Sequence, residues 1–341
     1  MSNDLPVDSG CSKFKYFPGI WLFFSLIIFI LILFQIPGES PDWQNYNEFF
    51  DLLRDDGSSV LVTNRFEPGF GVFSFLLINI FASNLVVYGT IAVAAILIKC
   101  WAINQFSSSR FVFLGVMIFY ALRFGSLHEL TQLRVAVSIS MMLLAVMLIW
   151  RRDCVPAFLA CALAVTFHLS AIVLIPFVLL AHYIDRWTTL LNPKFITLIG
   201  FFVFLVTLSG VRLALDYFEN SFSVIAMYQA AGFGDESPNL LSPALLLDWG
   251  VIFVSFLMWN RLPLMMRYVI FVEIIGMAIF YASLDFQVIA FRMREFFAVF
   301  WVFFIAQGVK QEFFVKNIVI CFLAANIVLY SYYFFFNDFF Y

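Results

Sequence analysis

The sequence predicts an all-α, polytopic transmembrane protein, and three observations lead to this fold class. The chain of 341 residues is 63% hydrophobic and 12% charged, whereas soluble domains carry about 25% charged residues. Its charges cluster between apolar runs of roughly 14 to 20 residues, near the length of a helix that crosses a bilayer. These runs lack the strict alternation of barrel strands, so the backbone hydrogen bonds that lipid demands are predicted to form within helices.

The basic residues predict how these helices are threaded, because Lys and Arg accumulate in cytoplasmic loops. With the N-terminus in the cytoplasm, most of the 19 basic residues fall inside, Lys99 among them. We expect one integral membrane domain over residues 1–341, with outer loops at about 37–67 and 214–243. About eleven spanning helices are expected, over residues 19–36, 85–103, 111–123, 133–150, 154–167, 170–184, 194–213, 244–260, 264–283, 294–309 and 317–336.

Two segments, 154–184 and Pro68–Ala82, have lengths that do not suit a single spanning helix. The stretch 154–184 is too long for one span and is interrupted by His168 and Ser170, so we predict two short helices that meet at the outer face. The segment Pro68–Ala82 is short, and a full crossing would move later basic residues to the other side. We predict a re-entrant or interfacial half-helix there, on the outer side. Irregular backbone at that depth is tolerated only inside protein or along a cavity, so a cavity is predicted as well.

Arginines are predicted on the outer side at the start of two helices. Arg134 opens one of them, and Arg292 and Arg294 open the other. Arginine binds phosphate through paired N–H donors, and helix N-termini favour anions. An arginine beside a positive helix end is unfavourable unless an anion or a carboxylate lies close, and a bound pyrophosphate would supply that charge. We therefore take Arg123, Arg134, Arg292 and Arg294 as candidate pyrophosphate ligands.

The alternative is that the same arginines only form ion pairs that pack helices together. Both interpretations stay open from the sequence alone. The carboxylates considered for such pairs are Glu129 or Asp285 for Arg134, and Glu295 or Asp248 for Arg292.

His168 and Glu67 are further candidate functional residues. His168 interrupts an apolar run, and an ionisable residue inside a span indicates function by default. The alternative is a neutral histidine bonded to a backbone carbonyl. Glu67 precedes Pro68, where a carboxylate also suits a helix start. The cysteines show no metal-ligand spacing and the chain has no basic patch, so neither a metal nor a nucleic-acid partner is predicted.

Short motifs follow one another along the chain in a recognisable order. They are Asp42-x-x-x-Tyr46, Glu67-Pro68-Gly69-Phe70, Leu133-Arg134-Val135-Ala136, Thr166-Phe167-His168-Leu169-Ser170-Ala171 and Phe291-Arg292-Met293-Arg294. In this order and spacing the chain resembles the EpsG family, a branch of the Wzy-type O-antigen and exopolysaccharide polymerases. Members of that family usually carry glutamine after the Leu/Ile-Arg pair. This chain has Val135 there, with Gln132 two residues before Arg134.

The resemblance implies a GT-C-like enzyme of the bacterial inner (cytoplasmic) membrane, with its active site facing the periplasm or the cell exterior. It implies transfer of a growing glycan from undecaprenyl pyrophosphate to a sugar hydroxyl of the next lipid-linked unit. Donor and acceptor are then both lipid-linked oligosaccharides in the bilayer, and a chain-length regulator is a candidate partner. No cofactor is expected.

The same resemblance implies roles for individual residues. Arginines would stabilise the charge on the leaving pyrophosphate, and a general base would take the proton of the attacking hydroxyl. His168 is the first candidate base, because its ordinary pKa lies near neutral pH, and Glu67 and Asp42 follow. The residues expected to bind pyrophosphate or glycan are Arg123, Arg134, Arg292, Arg294, Tyr46, Tyr217 and Tyr228.

Two other classes of membrane protein remain open at this point. A membrane acyltransferase or a glycan ligase would use similar His and Arg chemistry. A flippase or transporter for lipid-linked sugar would show internal repeats and charges near the bilayer midplane. The sequence shows no clear repeat, and its charges are predicted at one face, which favours an enzyme over a transporter.

Overall fold

The computed structural model describes residues 18–33, 41–63, 66–183, 192–218, 242–284 and 287–336. Regular structure in these ranges is helical, mostly α-helix, with short 3₁₀ segments and one π-helical turn. The α-helices in chain order are α1 (Pro18–Leu33), α2 (Pro41–Asp56), α3 (Val60–Thr63), α4 (Pro68–Ile78), α5 (Asn84–Phe106), α6 (Arg110–Tyr120), α7 (Ser126–His128), α8 (Leu133–Trp150), α9 (Cys154–Phe167), α10 (Ile175–Tyr183), α11 (Pro193–Phe218), α12 (Pro243–Leu257), α13 (Leu264–Ala282), α14 (Gln287–Ala298), α15 (Trp301–Gly308) and α16 (Phe313–Phe336).

Among the described residues, 5 helices are long and apolar enough to cross a membrane. They are α5, α8, the Pro193–Gly210 part of α11, α13, and the Phe313–Tyr333 part of α16. Several further apolar helices, such as α9 and α12, are shorter. The prediction of a helical membrane protein is confirmed, and the expected number of about eleven spans stays a prediction.

The predicted outer loop at 37–67 is largely helical in its described part, because α2 occupies most of it. The apolar residues of α2 recur at the spacing that forms one helix face, while most of its charged residues point away from that face. Pro41 and Asp42 both suit a first helical turn. The buried residues of α2 are Tyr46, Phe49, Phe50 and Leu53.

Helix α4 has the short length that was predicted for a half-helix. It contains 11 residues, which corresponds to about 16 Å and is roughly half of the hydrocarbon thickness. Pro68 stands at its first position, and Glu67 before it has an extended backbone, with φ −61° and ψ 145°. Whether α4 re-enters the membrane from the outer side stays a prediction.

The predicted interruption of the stretch 154–184 at His168 is confirmed. Helix α9 ends at Phe167, and His168 itself is extended, with φ −157° and ψ 115°. A 3₁₀ segment follows over Leu169–Leu174, and α10 then begins. Pro176 contributes to this pattern, because proline fits the first turn of a helix but not its interior.

The described helices form two compact units. One contains residues up to 121 together with 125–169, and the other contains 122–124 and almost all residues from 170 onward. In the first unit, α8 packs against α5 and α9, and Ser140 Oγ and Ser138 Oγ donate to carbonyls of those two helices at 2.9 Å. In the second unit, α13 packs against α11, α14 and α15. Packing units within a membrane need not be separate domains, so the single integral membrane domain stays a prediction.

Lys99 and Glu129 are predicted on opposite sides of the membrane, and this pair of predictions is wrong, because the two side chains form an ion pair. The side chain of Lys99 is fully buried in α5, and its Nζ lies 2.5 Å from Oε1 of Glu129, which is also fully buried. Sequence patterning places Lys99 inside and Glu129 outside, but an ion pair of this length requires one level in the membrane. Helix α5 continues to Phe106, beyond the predicted end at residue 103, and the opposite charge of Glu129 permits a buried lysine.

Candidate functional site

Glu67 joins Arg134 to His168, two residues that belong to different sequence motifs. Arg134 Nη1 donates to Glu67 Oε2 at 2.5 Å, and His168 Nδ1 lies 3.0 Å from Glu67 Oε1. The backbone N–H of Leu169 also donates to Oε1, at 3.4 Å. All of these residues lie in the first unit. The carboxylate therefore holds a guanidinium on one oxygen and an imidazole on the other.

A close helix contact brings Glu67 to His168. Gly69, in the first turn of α4, packs against the end of α9, and a Cβ atom added at Gly69 would lie 2.8 Å from the carbonyl oxygen of Thr166. Side chains essentially never approach a backbone oxygen so closely, so this position requires glycine. The order Glu67-Pro68-Gly69 thus starts a helix, aims the carboxylate and lets the two helix ends meet.

The three charged or titratable side chains of this cluster are neither buried completely nor exposed. Side-chain exposure is 11% for His168, 17% for Glu67 and 22% for Arg134. A part of each side chain is therefore accessible, while much of their surroundings is protein. Electrostatic interactions are stronger in such an environment than in water.

Glu67 is ionised at neutral pH. It lies before α4, outside the spanning helices. Burial by itself would raise the pKa of Glu67, but the hydrogen bond with His168 and the positive charge of Arg134 outweigh it and lower the pKa to about 2. A carboxylate with so low a pKa is a weak proton acceptor, but it is a strong hydrogen-bond acceptor for an imidazole N–H.

His168 is oriented by this carboxylate. A neutral imidazole that donates from Nδ1 to Glu67 carries its lone pair on Nε2. Nδ1 contacts a carboxylate, whereas the alternative interpretation predicted a backbone carbonyl as the partner of this histidine. A carboxylate on one ring nitrogen stabilises the imidazolium that forms when the other nitrogen takes a proton.

Arg134 lies at the start of α8, against aromatic side chains. Its guanidinium carbon lies 4.7 Å from the ring centre of Phe66, and its backbone N–H points to the Tyr46 hydroxyl at 3.4 Å. Its Nε is buried and makes no hydrogen bond among the described residues. The ion-pair alternative predicted Glu129 as a partner of Arg134, and this prediction is wrong, because Glu129 is bonded to Lys99. The other predicted partner, Asp285, lies outside the described residues.

Tyr46 supports this end of α8 from within the protein. It is 3% exposed, and its ring stacks on Phe66 with centroids 5.7 Å apart. Burial raises the pKa of Tyr46 although Arg134 opposes the shift, so the phenol stays protonated. Asp42 lies one helical turn before Tyr46 and is half-buried. Tyr46 is thus a buried residue that packs next to Arg134.

A second arginine cluster lies within the other unit. Arg123 Nη1 and Nη2 donate to the two oxygens of Asp248 at 2.9 and 2.6 Å, and Nη1 also donates to Asn326 at 2.9 Å. Arg294 donates to Asp248 as well. Arg123 and Asp248 have side-chain exposures of 1% each, so this fork is occupied by protein.

The predicted pairing of Arg292 with Asp248 is wrong, since Arg294 makes that contact. Residues two apart on a helix point to nearly opposite sides, so only one of the two arginines can face Asp248. Arg292 is half-buried in α14. Tyr217 lies near the end of α11, but its side chain is outside the described part, and Tyr228 lies outside it altogether.

Lys99 and Phe66 are not recognisable as partners from the sequence, and Asp248 is predicted for Arg292 but pairs with Arg123 and Arg294. Lys99 carried a usable signal, because it stands inside an apolar run, where charge indicates a specific role. The predicted helix ends soon after it, at residue 103, which assigns Lys99 to the cytoplasmic end of that helix. Phe66 carried no signal among 47 phenylalanines. Within the described ranges, no three His, Cys, Asp or Glu side chains are grouped so that they could hold a metal ion.

Comparison with known proteins gives a family and no individual relative. Neither curated proteins nor solved structures give a significant match. The sequence model of the EpsG family matches residues 20–341, which is nearly the whole chain. The match includes the motifs that contribute Glu67, Arg134 and His168. The protein therefore belongs to the EpsG family, which is associated with Wzy-type polymerases.

Proposed function

We propose that this protein polymerises lipid-linked oligosaccharide units of an O-antigen, capsule or exopolysaccharide. The observation that carries the proposal is the meeting of Glu67, Arg134 and His168 at one partly accessible place in a family of polymerase-like membrane proteins. An anion-binding guanidinium beside a carboxylate-oriented imidazole is a suitable set for glycosyl transfer from a pyrophosphate.

The proposed reaction is a single displacement at an anomeric carbon. A sugar hydroxyl of one lipid-linked unit attacks the anomeric carbon of the glycan on undecaprenyl pyrophosphate. The new glycosidic C–O bond forms while the C–O bond to the pyrophosphate breaks and takes its electron pair with it. The hydroxyl proton passes to the base, and undecaprenyl pyrophosphate leaves as an anion. This course inverts the anomeric centre.

The contacts support a distinct role for each residue. Arg134 has a partly exposed side chain and would bind the leaving pyrophosphate through the guanidinium N–H groups that Glu67 does not use. His168 would accept the hydroxyl proton at Nε2. Glu67, whose pKa is about 2, is better suited to orient both side chains than to act as the base. Tyr46 would hold the first turn of α8, and Asp42 remains a candidate for contact with sugar.

The arginines of the second unit differ in whether they are available to bind substrate. Both terminal nitrogens of Arg123 donate to Asp248 or Asn326 and its side chain is 1% exposed, so we assign it a structural role within its unit. Arg294 is 12% exposed and its Nε makes no hydrogen bond in the described structure. Arg294 and the half-buried Arg292 thus remain the candidates for binding pyrophosphate or glycan in this unit.

The proposal includes the location and partners of the enzyme. The site would face the periplasm or cell exterior from the bacterial inner membrane, where lipid-linked units serve as donor and acceptor. A chain-length regulator would be a protein partner. These expectations follow from the family and from the predicted distribution of basic residues.

A polymer ladder tests the proposal. The gene is deleted and restored as wild type, Arg134→Ala or His168→Ala, and surface glycan is separated on a gel. Arg110→Ala and His182→Ala serve as matched controls, since they change the same residue types outside the cluster. We expect single repeat units in the deletion strain and in both site variants, at normal membrane abundance, and full ladders in both controls.

Three other results would contradict the proposal. Long glycan in the deletion strain, with a change only in a substituent, would indicate a modifying acyltransferase. Polymer that forms but is not joined to its final acceptor would indicate a ligase. Lipid-linked units that accumulate on the cytoplasmic face would indicate a flippase.

A further inference from the structure

A buried polar network in the first unit is not used by the proposed reaction. Lys99 Nζ donates to Glu129 Oε1 at 2.5 Å and to the carbonyl oxygen of Ala136 at 2.8 Å. The Tyr120 hydroxyl lies 2.9 Å from both oxygens of Glu129. Lys99, Tyr120 and Glu129 are all 0% exposed. The network joins α5, α6, the turn before α8 and the first turns of α8 itself.

Stability alone is a weak reason for such a network. Removing two charges from water is unfavourable, and buried ion pairs are often replaced by apolar residues without loss of stability. Inside a membrane the same charges are rare and usually serve a specific purpose. What the pair holds in place is therefore informative.

The pair holds the chain on both sides of Arg134. Glu129 lies in the turn before α8, and the backbone N–H of Gln132 closes that turn on Leu127 at 2.9 Å. Ala136 lies two residues after Arg134 and accepts from Lys99. The N-cap residue Gln132 makes no side-chain cap hydrogen bond, so α8 lacks the usual anchor at its start. Lys99 and Glu129 supply that anchor from a neighbouring helix.

We propose that Lys99 and Glu129 are positioning residues that fix the start of α8, so that Arg134 meets Glu67. The consequence for catalysis rests on the proposed function, whereas the geometric part does not. Productive geometry in active sites is narrow, and small displacements of a binding group reduce rates strongly. The pair would act entirely through Arg134 and would touch no substrate.

A crosslinking experiment tests the geometry without reference to activity. In the full chain with its five native cysteines replaced by alanine, one variant carries Glu67→Cys with Arg134→Cys. A control variant carries Ser138→Cys with Ala164→Cys, farther along α8 and α9. Both are treated with a short bis-methanethiosulfonate reagent, with Lys99 and Glu129 intact or changed together to Lys99→Met and Glu129→Leu.

We expect the double change to lower the 67–134 crosslink at least fivefold and the 138–164 crosslink less than twofold. An unchanged 67–134 crosslink would overturn the proposal. Equal loss of both crosslinks would also overturn it, because the pair would then hold the whole helix packing. If the double variant does not reach the membrane, Glu129→Gln replaces it, with at least a twofold loss of the 67–134 crosslink expected and no loss contradicting the proposal.

Activity is measured separately, in the chain with Glu67 and Arg134 intact. At equal membrane abundance, the Lys99→Met/Glu129→Leu variant is expected to make at least tenfold less polymer. Full activity with a reduced crosslink would show that the position of Arg134 does not matter, which overturns the catalytic part. If the wild type makes no polymer, the proposed function fails, and the crosslinking result still decides whether the pair positions α8.

Discussion

The Nδ1 atom of His168 lies 3.0 Å from Oε1 of Glu67, although the two residues are 101 positions apart in the chain. The second oxygen of the same carboxylate accepts from Arg134. One residue before a short helix therefore organises a side chain at the start of α8 and another just after the end of α9. Its substitution tests the whole cluster.

Glu67→Gln is expected to lower stability in a pH-dependent way. The pKa of Glu67 is depressed from 4.5 to about 2, so its ionised form contributes stability that is fully present above pH 4.5. This contribution is lost as the pH falls from 4.5 towards 2. The difference in unfolding midpoint between wild type and Glu67→Gln in detergent should be largest at pH 5 to 8 and shrink below pH 4.5.

The lowered pKa of Glu67 also determines how its titration affects the pH dependence of activity. Glu67 stays ionised throughout pH 5 to 8, so its titration should add no acid limb to the wild-type profile. A stability difference that is the same at pH 3 and pH 7 would contradict the assignment of this pKa.

Gly69→Ala is expected to separate α4 from α9 and to reduce polymer formation strongly. The new methyl group would lie 2.8 Å from the Thr166 carbonyl oxygen, which cannot move independently of its helix. Overpacking of this kind costs about 1–3 kcal/mol. Gly71→Ala is the matched control in the same helix, since its new methyl would meet the flexible end of Leu61 at 3.1 Å and touch the Phe49 ring at 3.9 Å, with no backbone atom nearby. Equal ladders for the two variants at equal abundance would count against the close contact.

Substitution of Arg123 should lower membrane abundance, whereas substitution of Arg134 should lower activity. Arg123→Met removes a fully buried partner of Asp248, and breaking a buried ion pair costs about 3–5 kcal/mol, so we expect low membrane abundance. Arg134→Lys keeps the charge but loses the fork that serves both Glu67 and a pyrophosphate. We expect normal abundance with a loss of activity of about a hundredfold. Normal abundance of Arg123→Met would show that its ion pair is dispensable.

Most of the fold follows from hydropathy, and the exceptions have physical causes. Apolar runs predict the long helices, and His168 predicts a chain interruption, because both signals are local. Helix α2 was missed because its mixed composition resembles a polar loop until its buried positions are compared at helical spacing.

The candidate site is less accessible to sequence reasoning, because its contacts are long-range. Glu67, Arg134 and His168 can each be selected from local context, yet their mutual pairing depends on the contact between Gly69 and Thr166. Lys99 shows the opposite failure. A positive charge near the end of a predicted helix indicates the cytoplasmic side, and only the position of Glu129 reveals that this charge is buried.

Cysteine labelling of the membrane sides is the last test, and it separates the topology from the chemistry. Single cysteines at His168, at the half-buried Gln132, within 220–240 and at Arg292 are expected to react with an impermeant reagent from the outer side, because the basic residues of the remaining loops favour the cytoplasm. Lys99→Cys should react from neither side, since it is buried against Glu129. Opposite sides for His168 and 220–240 would mean that the stretch 154–184 crosses the membrane once, and the prediction of two short helices that meet at the outer face would then be wrong.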